Sequence, residues 1–167
     1  MTIQEINHLN RESFLAAIGP VFESSSWIAE ETWPRRPFES SEALLAALIA
    51  TVEEAGPGPL MQLIQAHPDL GGRLAQQGLL TRESGEEQRA AGIEGLDGGS
   101  RASLQELNAR YLEKFGFPFI ICARLNSPDS ILAALQRRME STREQEIRLA
   151  WEEIKKIASL RLEAVVG

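Results

Sequence analysis

The feature that most constrains the fold is the scarcity of strand-like sequence. Only the stretch Phe115–Ile121 has the aromatic and β-branched composition of a strand, and Gly116 and Pro118 weaken that pattern. A lone apolar segment cannot form a sheet by itself. Apolar residues elsewhere recur at helical spacing, so the sequence predicts an all-α fold without a sheet, a bundle of about eight helices. We expect residues 1–167 to form a single domain.

Breaking residues indicate where several helices end. An apolar stripe over 41–55 stops at the breaker Gly56-Pro57-Gly58-Pro59. We expect the next helix to cover 60–67 and to end at Pro68. The stretch 143–165 predicts one long closing helix.

Capping patterns mark two helix starts. Thr2 and Glu5 have the spacing of a capping box. Ser127 followed by Pro128 is typical of an N-cap and a first helical position. The stretch Trp33–Pro37, with two prolines, predicts a rigid connection that is not helical.

Charge and composition narrow the class of partner. The formal net charge is -7, and nucleic acids and anionic membranes require clustered Lys and Arg, so neither is an expected partner. A small anionic substrate stays compatible, because salt screens the diffuse negative charge over about 8 Å. The single cysteine, Cys122, excludes an intrachain disulfide. The sequence lacks a secretory signal pattern and any apolar run near the ~20 residues of a membrane span, so we expect a cytoplasmic protein.

Common catalytic motifs are absent. The sequence has no phosphate-binding glycine loop, no dinucleotide-binding glycine turn, no His-Glu-x-x-His, no Cys-x-x-Cys and no Gly-x-Ser-x-Gly. With two histidines and one cysteine, a transition-metal site would depend mostly on carboxylates. Two classes remain, a cofactor-independent acid/base enzyme and a protein that is not an enzyme.

His67 is the first unusual position. Leu60, Leu63, Ile64 and His67 lie at helical spacing, so the imidazole continues an apolar stripe. Burial there would suit an acid/base histidine, but it would equally suit a core histidine whose hydrogen bonds are satisfied.

Three further features have the same ambiguity. Ser84, Glu87 and Gln88 share one helical face, which would line a polar cavity or simply face solvent. Arg161 interrupts an apolar stripe of the closing helix, so it either binds an acceptor inside the protein or extends to solvent near a helix end. The stretch Phe115–Ile121 is either plain core or an irregular apolar wall whose backbone groups are open to a ligand.

These residues fall into ordered motifs that resemble one family. The motifs are His67-Pro-Asp-Leu-Gly71, Ser84-x-x-Glu87-Gln88-x-x-Ala91-Gly92 and Tyr111-x-x-Lys114-Phe-Gly-Phe-Pro-Phe-Ile-Ile121-x-x-Arg124, with Arg36-Pro37-Phe38 and Glu153-Ile154-x-x-Ile157-x-x-x-Arg161-Leu162 also similar. They resemble the OHCU decarboxylases, where OHCU is 2-oxo-4-hydroxy-4-carboxy-5-ureidoimidazoline. Ile93 departs from the leucine more usual in the family.

The resemblance implies a decarboxylase of urate degradation that converts the small molecule OHCU to (S)-allantoin without a metal or an organic cofactor. It implies His67 as the catalytic acid/base with Glu87 as its companion, and a homodimer. The implied substrate-binding residues are Pro68, Ser84, Gly85, Glu86, Gln88, Arg161 and the wall segment, which comprises Phe119, Ile120, Ile121, Cys122 and Ala123.

Two other functions fit the same residues. One is a different cofactor-free helical enzyme, a hydrolase or tautomerase that acts on another ureide. The other is a helical interaction module in which the face from Ser84 to Ala91 is a docking surface.

Overall fold

The structure, a computed structural model, describes residues 1–72 and 78–167. Every regular element in these two ranges is helical, which confirms the predicted all-α class. The nine α-helices they contain are α1 (Ile3–His8), α2 (Arg11–Ile18), α3 (Trp27–Thr32), α4 (Ser41–Ala55), α5 (Pro57–Ala66), α6 (Arg82–Ala90), α7 (Gly98–Phe115), α8 (Pro128–Arg138) and α9 (Arg143–Val165). Short turns of 3-10 helix lie at Gly19–Val21, Trp33–Arg35, Ile93–Gly95 and Ala123–Leu125.

The predicted caps and the long closing helix are confirmed. The Glu5 amide donates to Thr2 Oγ1 at 3.2 Å while the Thr2 amide donates to Glu5 Oε2 at 2.7 Å, the reciprocal pair of a capping box. Ser127 caps α8, with Pro128 as its first residue. The closing helix α9 has the predicted bounds.

Two local predictions were wrong. Helix α5 begins at Pro57, three residues before the predicted start, because the first residues of a helix need no backbone donor and proline is tolerated there. The stretch Trp33–Arg35 forms one turn of 3-10 helix rather than a non-helical connection. A 3-10 turn, like the first turn of an α-helix, accommodates proline near its start.

The chain divides into two compact units. Unit 1 comprises 1–66 and 155–167, and unit 2 comprises 67–154, so the division falls inside α9. No helix in the described residues is long and apolar enough to cross a membrane.

Unit 1 packs its helices around an apolar core. Ile6, Phe14, Leu44, Leu48 and Ala158 are all fully buried. Its two stretches are joined directly, because the amino group of Met1 donates to the Val165 carbonyl at 2.9 Å.

Unit 2 is built around an aromatic cluster. The Tyr111 ring is fully buried, with its centroid 4.5 Å from that of Phe115, 6.0 Å from Phe117 and 5.5 Å from Phe119. Edge-on and tilted contacts of this kind add to the apolar burial. The cluster therefore fixes the chain where it leaves α7 and enters the extended stretch that follows.

Candidate functional site

The His67 turn, which we define as residues 67–72, follows α5. Pro68 provides no amide hydrogen for a further helical bond, so the helix ends at Ala66. His67 is 8% exposed, and Leu70 is buried, whereas Pro68 is half-buried. The imidazole therefore lies in the partly desolvated environment that the sequence predicted.

Two side-chain amides fix the backbone of this turn. Gln88 on α6 accepts the Gly71 amide at 2.9 Å through Oε1 and donates through Nε2 to the Asp69 carbonyl at 3.3 Å. Asn108 on α7 donates to the Leu70 carbonyl at 3.0 Å. Three successive residues of the turn are thus bound by two helices, and the second hydrogen of Gln88 Nε2 is left for another acceptor.

Asp69 occupies an unfavourable place for a carboxylate. Its Oδ1 is buried and has no hydrogen-bond partner in the described part of the chain. Burial raises the pKa of the Asp69 carboxyl above its ordinary value. The turn therefore carries, two residues from His67, a carboxyl group whose protonated form is favoured by burial.

Helix α6 presents the predicted polar face. Ser84 and Gln88 are 5% and 4% exposed, so these two positions do not belong to a solvated face. Glu87 and Gly85 are half-buried. Glu86 is exposed, with Oε1 3.8 Å from Nε of the exposed Arg82.

The wall segment is buried along its whole length; 119–122 have no regular secondary structure, and Ala123 begins the 3-10 turn that follows. Its backbone is held from one side by charged side chains: Arg138 Nη1 donates to the Ile120 carbonyl at 2.6 Å, and Glu153 Oε1 accepts the Cys122 amide at 3.2 Å. Asn126 Nδ2 also donates to the Cys122 carbonyl at 2.9 Å. With no strand in the described residues, side chains bind these backbone groups in place of a neighbouring strand.

These two anchors determine where the peptide groups of Ile121 point. A trans peptide directs its carbonyl and its amide hydrogen to opposite sides. The Ile121 amide is therefore directed away from Arg138, and the Ile121 carbonyl is directed away from Glu153. Within residues 1–72 and 78–167 neither group has a hydrogen-bond partner. The wall thus offers one donor and one acceptor from a single residue.

The His67 turn, α6 and the wall segment come together in unit 2. Gln88 binds α6 to the turn. Helix α6 also packs against Ala123–Leu125, the turn that begins with the last residue of the wall segment. A cavity of about 540 Å³ lies beside α6, and Gly71, Gly85 and Gln88 are among its lining residues. Among the described residues that line it are neither His67 nor any member of the wall segment, so this cavity is not where the three motifs meet.

Arg161 belongs to unit 1, where it is buried at 8% exposure rather than extended to solvent. Its Nη2 donates to Glu23 Oε2 at 2.8 Å, and its Nη1 donates to the Pro20 carbonyl at 3.1 Å. Glu23 is itself 3% exposed, so the pair is a desolvated one. The expected anionic partner within the protein is therefore Glu23, a residue that the sequence did not identify.

The sequence also missed Asn108, Arg138 and Glu146, and it gave Glu153 no role. The sequence did contain a signal for Asn108. Asn108 interrupts the apolar stripe formed by Leu104, Tyr111 and Phe115 on α7, as Arg161 does on α9. In the described residues no group of three or more His, Cys, Asp or Glu side chains is placed to hold a metal ion.

The helical fold and the convergence of the motifs define a class of small all-α proteins with a polar site beside an irregular apolar wall. Residues 7–163 match the family model described as OHCU decarboxylase, and the chain belongs to that family. The chain is 39% identical to a 2-oxo-4-hydroxy-4-carboxy-5-ureidoimidazoline decarboxylase of Halalkalicoccus jeotgali, over 98% of this chain and 90% of that protein.

Two solved structures are also similar. A crystal structure of (S)-allantoin synthase superimposes with a TM-score of 0.80 at 26% identity, over 99% of this chain and 54% of that one. A crystal structure of OHCU decarboxylase in the presence of (S)-allantoin gives a TM-score of 0.70 at 25% identity, over 93% of this chain and 97% of the other.

Proposed function

We propose that this protein decarboxylates OHCU to (S)-allantoin, with His67 as the proton donor. One observation carries the proposal: the His67 turn, the Ser84–Gln88 face and the wall segment, which are distant in sequence, converge in unit 2. Membership of the family and similarity to a structure determined with (S)-allantoin support the choice of substrate.

The substrate carries its own electron sink. Its carboxylate is bonded to a ring carbon that is adjacent to a C=N bond. When the bond to the carboxylate breaks and carbon dioxide leaves, the electron pair forms a C=C bond, and the nitrogen takes a proton. The neighbouring carbon then takes a proton as the hydroxyl group loses one and becomes a carbonyl. The protein must therefore orient the substrate and deliver a proton to one face of the ring.

His67 is suited to that delivery, because a positioned acid typically contributes about 10²–10⁴-fold to the rate. Glu87, half-buried on the adjacent helix, would bind the substrate hydroxyl or set the charge of His67. The amide and carbonyl of Ile121 match the donors and acceptors of a ureido group. The remaining proposed substrate contacts come from Pro68, Ser84, Gly85, Glu86, Gln88, Phe119, Ile120, Cys122, Ala123 and Arg161.

The handedness of the product tests the proposal. Freshly generated OHCU is mixed with the protein, and the allantoin formed is resolved into its two enantiomers. Rapid formation of the S form is expected. Because uncatalysed decay yields both hands equally, an excess of the S form reports catalysis by the protein. Racemic product at the uncatalysed rate, from folded protein, would refute the proposed activity and leave a different ureide enzyme or an interaction module as the better interpretation.

The replacement His67→Asn tests the proton donor separately. It preserves a polar group of similar size, and we expect a folded protein whose turnover falls by about 10²–10⁴-fold. His8, which bonds the Gln4 carbonyl within α1, provides the control, since His8→Asn should leave turnover unchanged. Near-normal turnover in the His67→Asn protein would end the proton-donor role while leaving the decarboxylase assignment intact.

The proposal also includes a homodimer, as the resemblance implies, and a cytoplasmic location. Light scattering of the purified chain measures the first, and fractionation of the source cells measures the second. A monomer at working concentration, or recovery outside the cytoplasm, would contradict these parts of the proposal without affecting the chemistry.

A further inference from the structure

We infer that Arg138 and Glu146 are positioning residues for the proposed reaction: together they fix the wall segment so that the Ile121 peptide groups keep the orientation in which they bind substrate. This inference rests on the proposed function. Neither residue belongs to the site motifs, and both act through the backbone rather than on the substrate.

Arg138 contacts two consecutive residues of the wall segment. Its Nη1 donates to the Ile120 carbonyl at 2.6 Å, and its guanidinium carbon lies 4.5 Å from the centre of the Phe119 ring. The hydrogen bond fixes the rotation of the peptide between Ile120 and Ile121, and the ring contact fixes its position. Because that peptide carries the Ile121 amide, any rotation of it would turn the donor away from a ligand.

Glu146 in turn fixes Arg138. Its carboxylate is fully buried, and a single oxygen, Oε1, accepts both from Arg138 Nε at 2.7 Å and from the Tyr111 hydroxyl at 2.6 Å. Tyr111 belongs to the aromatic cluster that also contacts Phe119. The wall segment, the arginine, the carboxylate and the core of unit 2 thus form one connected network.

The pair is poorly arranged for stability alone. Glu146 Oε2 and Arg138 Nη2 are both buried without a hydrogen-bond partner in the described residues. Buried ion pairs are often no more stable than apolar side chains of similar volume, and unsatisfied groups make the comparison worse. What this pair does provide, and an apolar pair would not, is a directional bond to the Ile120 carbonyl.

The chain contains a matched control for this role. Arg143 makes the same two kinds of contact outside the wall segment: its Nε donates to the Phe115 carbonyl at 3.1 Å, and its guanidinium lies 5.6 Å from the Phe117 ring centre. Arg143 is more exposed than Arg138. Replacing either arginine by lysine retains the charge, but a lysine ammonium cannot reproduce the planar fork that bonds two groups at once.

The experiment compares Arg138→Lys with Arg143→Lys at equal folded fraction, established by circular dichroism and thermal unfolding. We expect Arg138→Lys to raise the KM for OHCU by about 10- to 100-fold with a smaller change in kcat, since misplaced binding groups weaken substrate binding. The dissociation constant of (S)-allantoin should rise with it. Arg143→Lys should leave both constants near those of the unaltered chain.

The double replacement Arg138→Met with Glu146→Gln keeps the inference testable if the lysine variant does not fold. It removes both charges together, so that no unpaired charge is buried, and it preserves an acceptor for Tyr111. A folded double variant should show the same rise in KM, and normal KM in it would overturn the inference.

The activity of the unaltered chain distinguishes a failure of the proposed function from a failure of the positioning role alone. If it forms racemic allantoin at the uncatalysed rate, the proposed function fails and the positioning role fails with it. If it is active and stereospecific but Arg138→Lys and Arg143→Lys change KM equally, only the positioning role is overturned.

Discussion

Two irregular segments of unit 2 are held by opposite kinds of chemistry. The His67 turn is bound by neutral carboxamides, those of Gln88 and Asn108. The wall segment is bound mainly by charged groups, those of Arg138 and Glu153, with one further hydrogen bond from the Asn126 carboxamide. In the described residues neither segment has a neighbouring strand, and in both several backbone groups are bound by side chains that come from helices.

The difference lies in what each arrangement requires from its surroundings. A carboxamide supplies a donor and an acceptor at once and buries no net charge, so Gln88 needs no counterion. A buried guanidinium does need one, and Glu146 and Tyr111 extend the network behind Arg138 into the core. The neutral arrangement is therefore local, whereas the charged arrangement couples the wall segment to the aromatic cluster.

The largest loss of stability is expected when the charged network that binds the wall segment is broken. Arg138→Met leaves the fully buried Glu146 with only Tyr111 as a partner, and we expect the free energy of unfolding to fall by about 3–5 kcal/mol. Denaturant titration measures this loss. A loss below about 1 kcal/mol would mean that the charged network around Arg138 contributes no more to the free energy of unfolding than the carboxamide hydrogen bonds of the His67 turn.

A smaller effect is expected at the neutral segment. Asn108→Leu removes the donor to the Leu70 carbonyl, and we expect a loss of about 1–3 kcal/mol in the free energy of unfolding, with lower turnover because the His67 turn loosens. Gln105→Leu, one turn earlier on α7 and only half-buried, is the matched control and should change stability by less than about 0.5 kcal/mol. Equal losses in the two variants would contradict a specific role of Asn108 in fixing the His67 turn.

The smallest effect is expected at Asp69, the one ionisable group of the His67 turn besides His67 itself. Because burial raises its pKa, the folded protein holds this proton to a higher pH than the unfolded chain does. The Asp69 contribution to stability therefore falls as the pH rises from the ordinary value of 3.8 through the raised pKa. Asp69→Asn should remove this dependence, so its stability relative to the unaltered chain should be greater at pH 7 than at pH 3. Unfolding curves at the two pH values measure it, and a difference of the opposite sign would contradict the buried-carboxyl account.

Local features of the fold were predictable because they depend on neighbouring residues. The Thr2 capping box, the Ser127 cap and the bounds of α9 follow from propensity, capping and periodicity. The start of α5 was missed because Gly56-Pro57-Gly58-Pro59 was interpreted as a helix breaker, although Pro57 occupies a position where proline suits a helix.

The candidate site was likewise predictable only in the features that depend on neighbouring residues. Periodicity marked His67, the Ser84–Gln88 face and Arg161 as unusual positions, and His67, Ser84, Gln88 and Arg161 are buried. Their roles in substrate binding stay predictions. Their partners were not predictable, because the pairing of Arg161 with Glu23, or of Arg138 with Glu146, depends on how helices pack rather than on spacing along one of them. A polar residue inside an apolar stripe indicates that it has a buried partner but does not identify that partner.

The division of the chain has a consequence for biosynthesis. Unit 1 is assembled from 1–66 and 155–167, whereas unit 2 is one continuous stretch. During translation, all partners within unit 2 belong to one continuous stretch, whereas the helices of 1–66 gain part of their own unit only after 155–167 has been synthesised. The Met1 to Val165 hydrogen bond is among the contacts of highest sequence separation, which are the slowest to form. The helices of 1–66 can pack against one another before then, but their unit is completed only when 155–167 of the closing helix has been made.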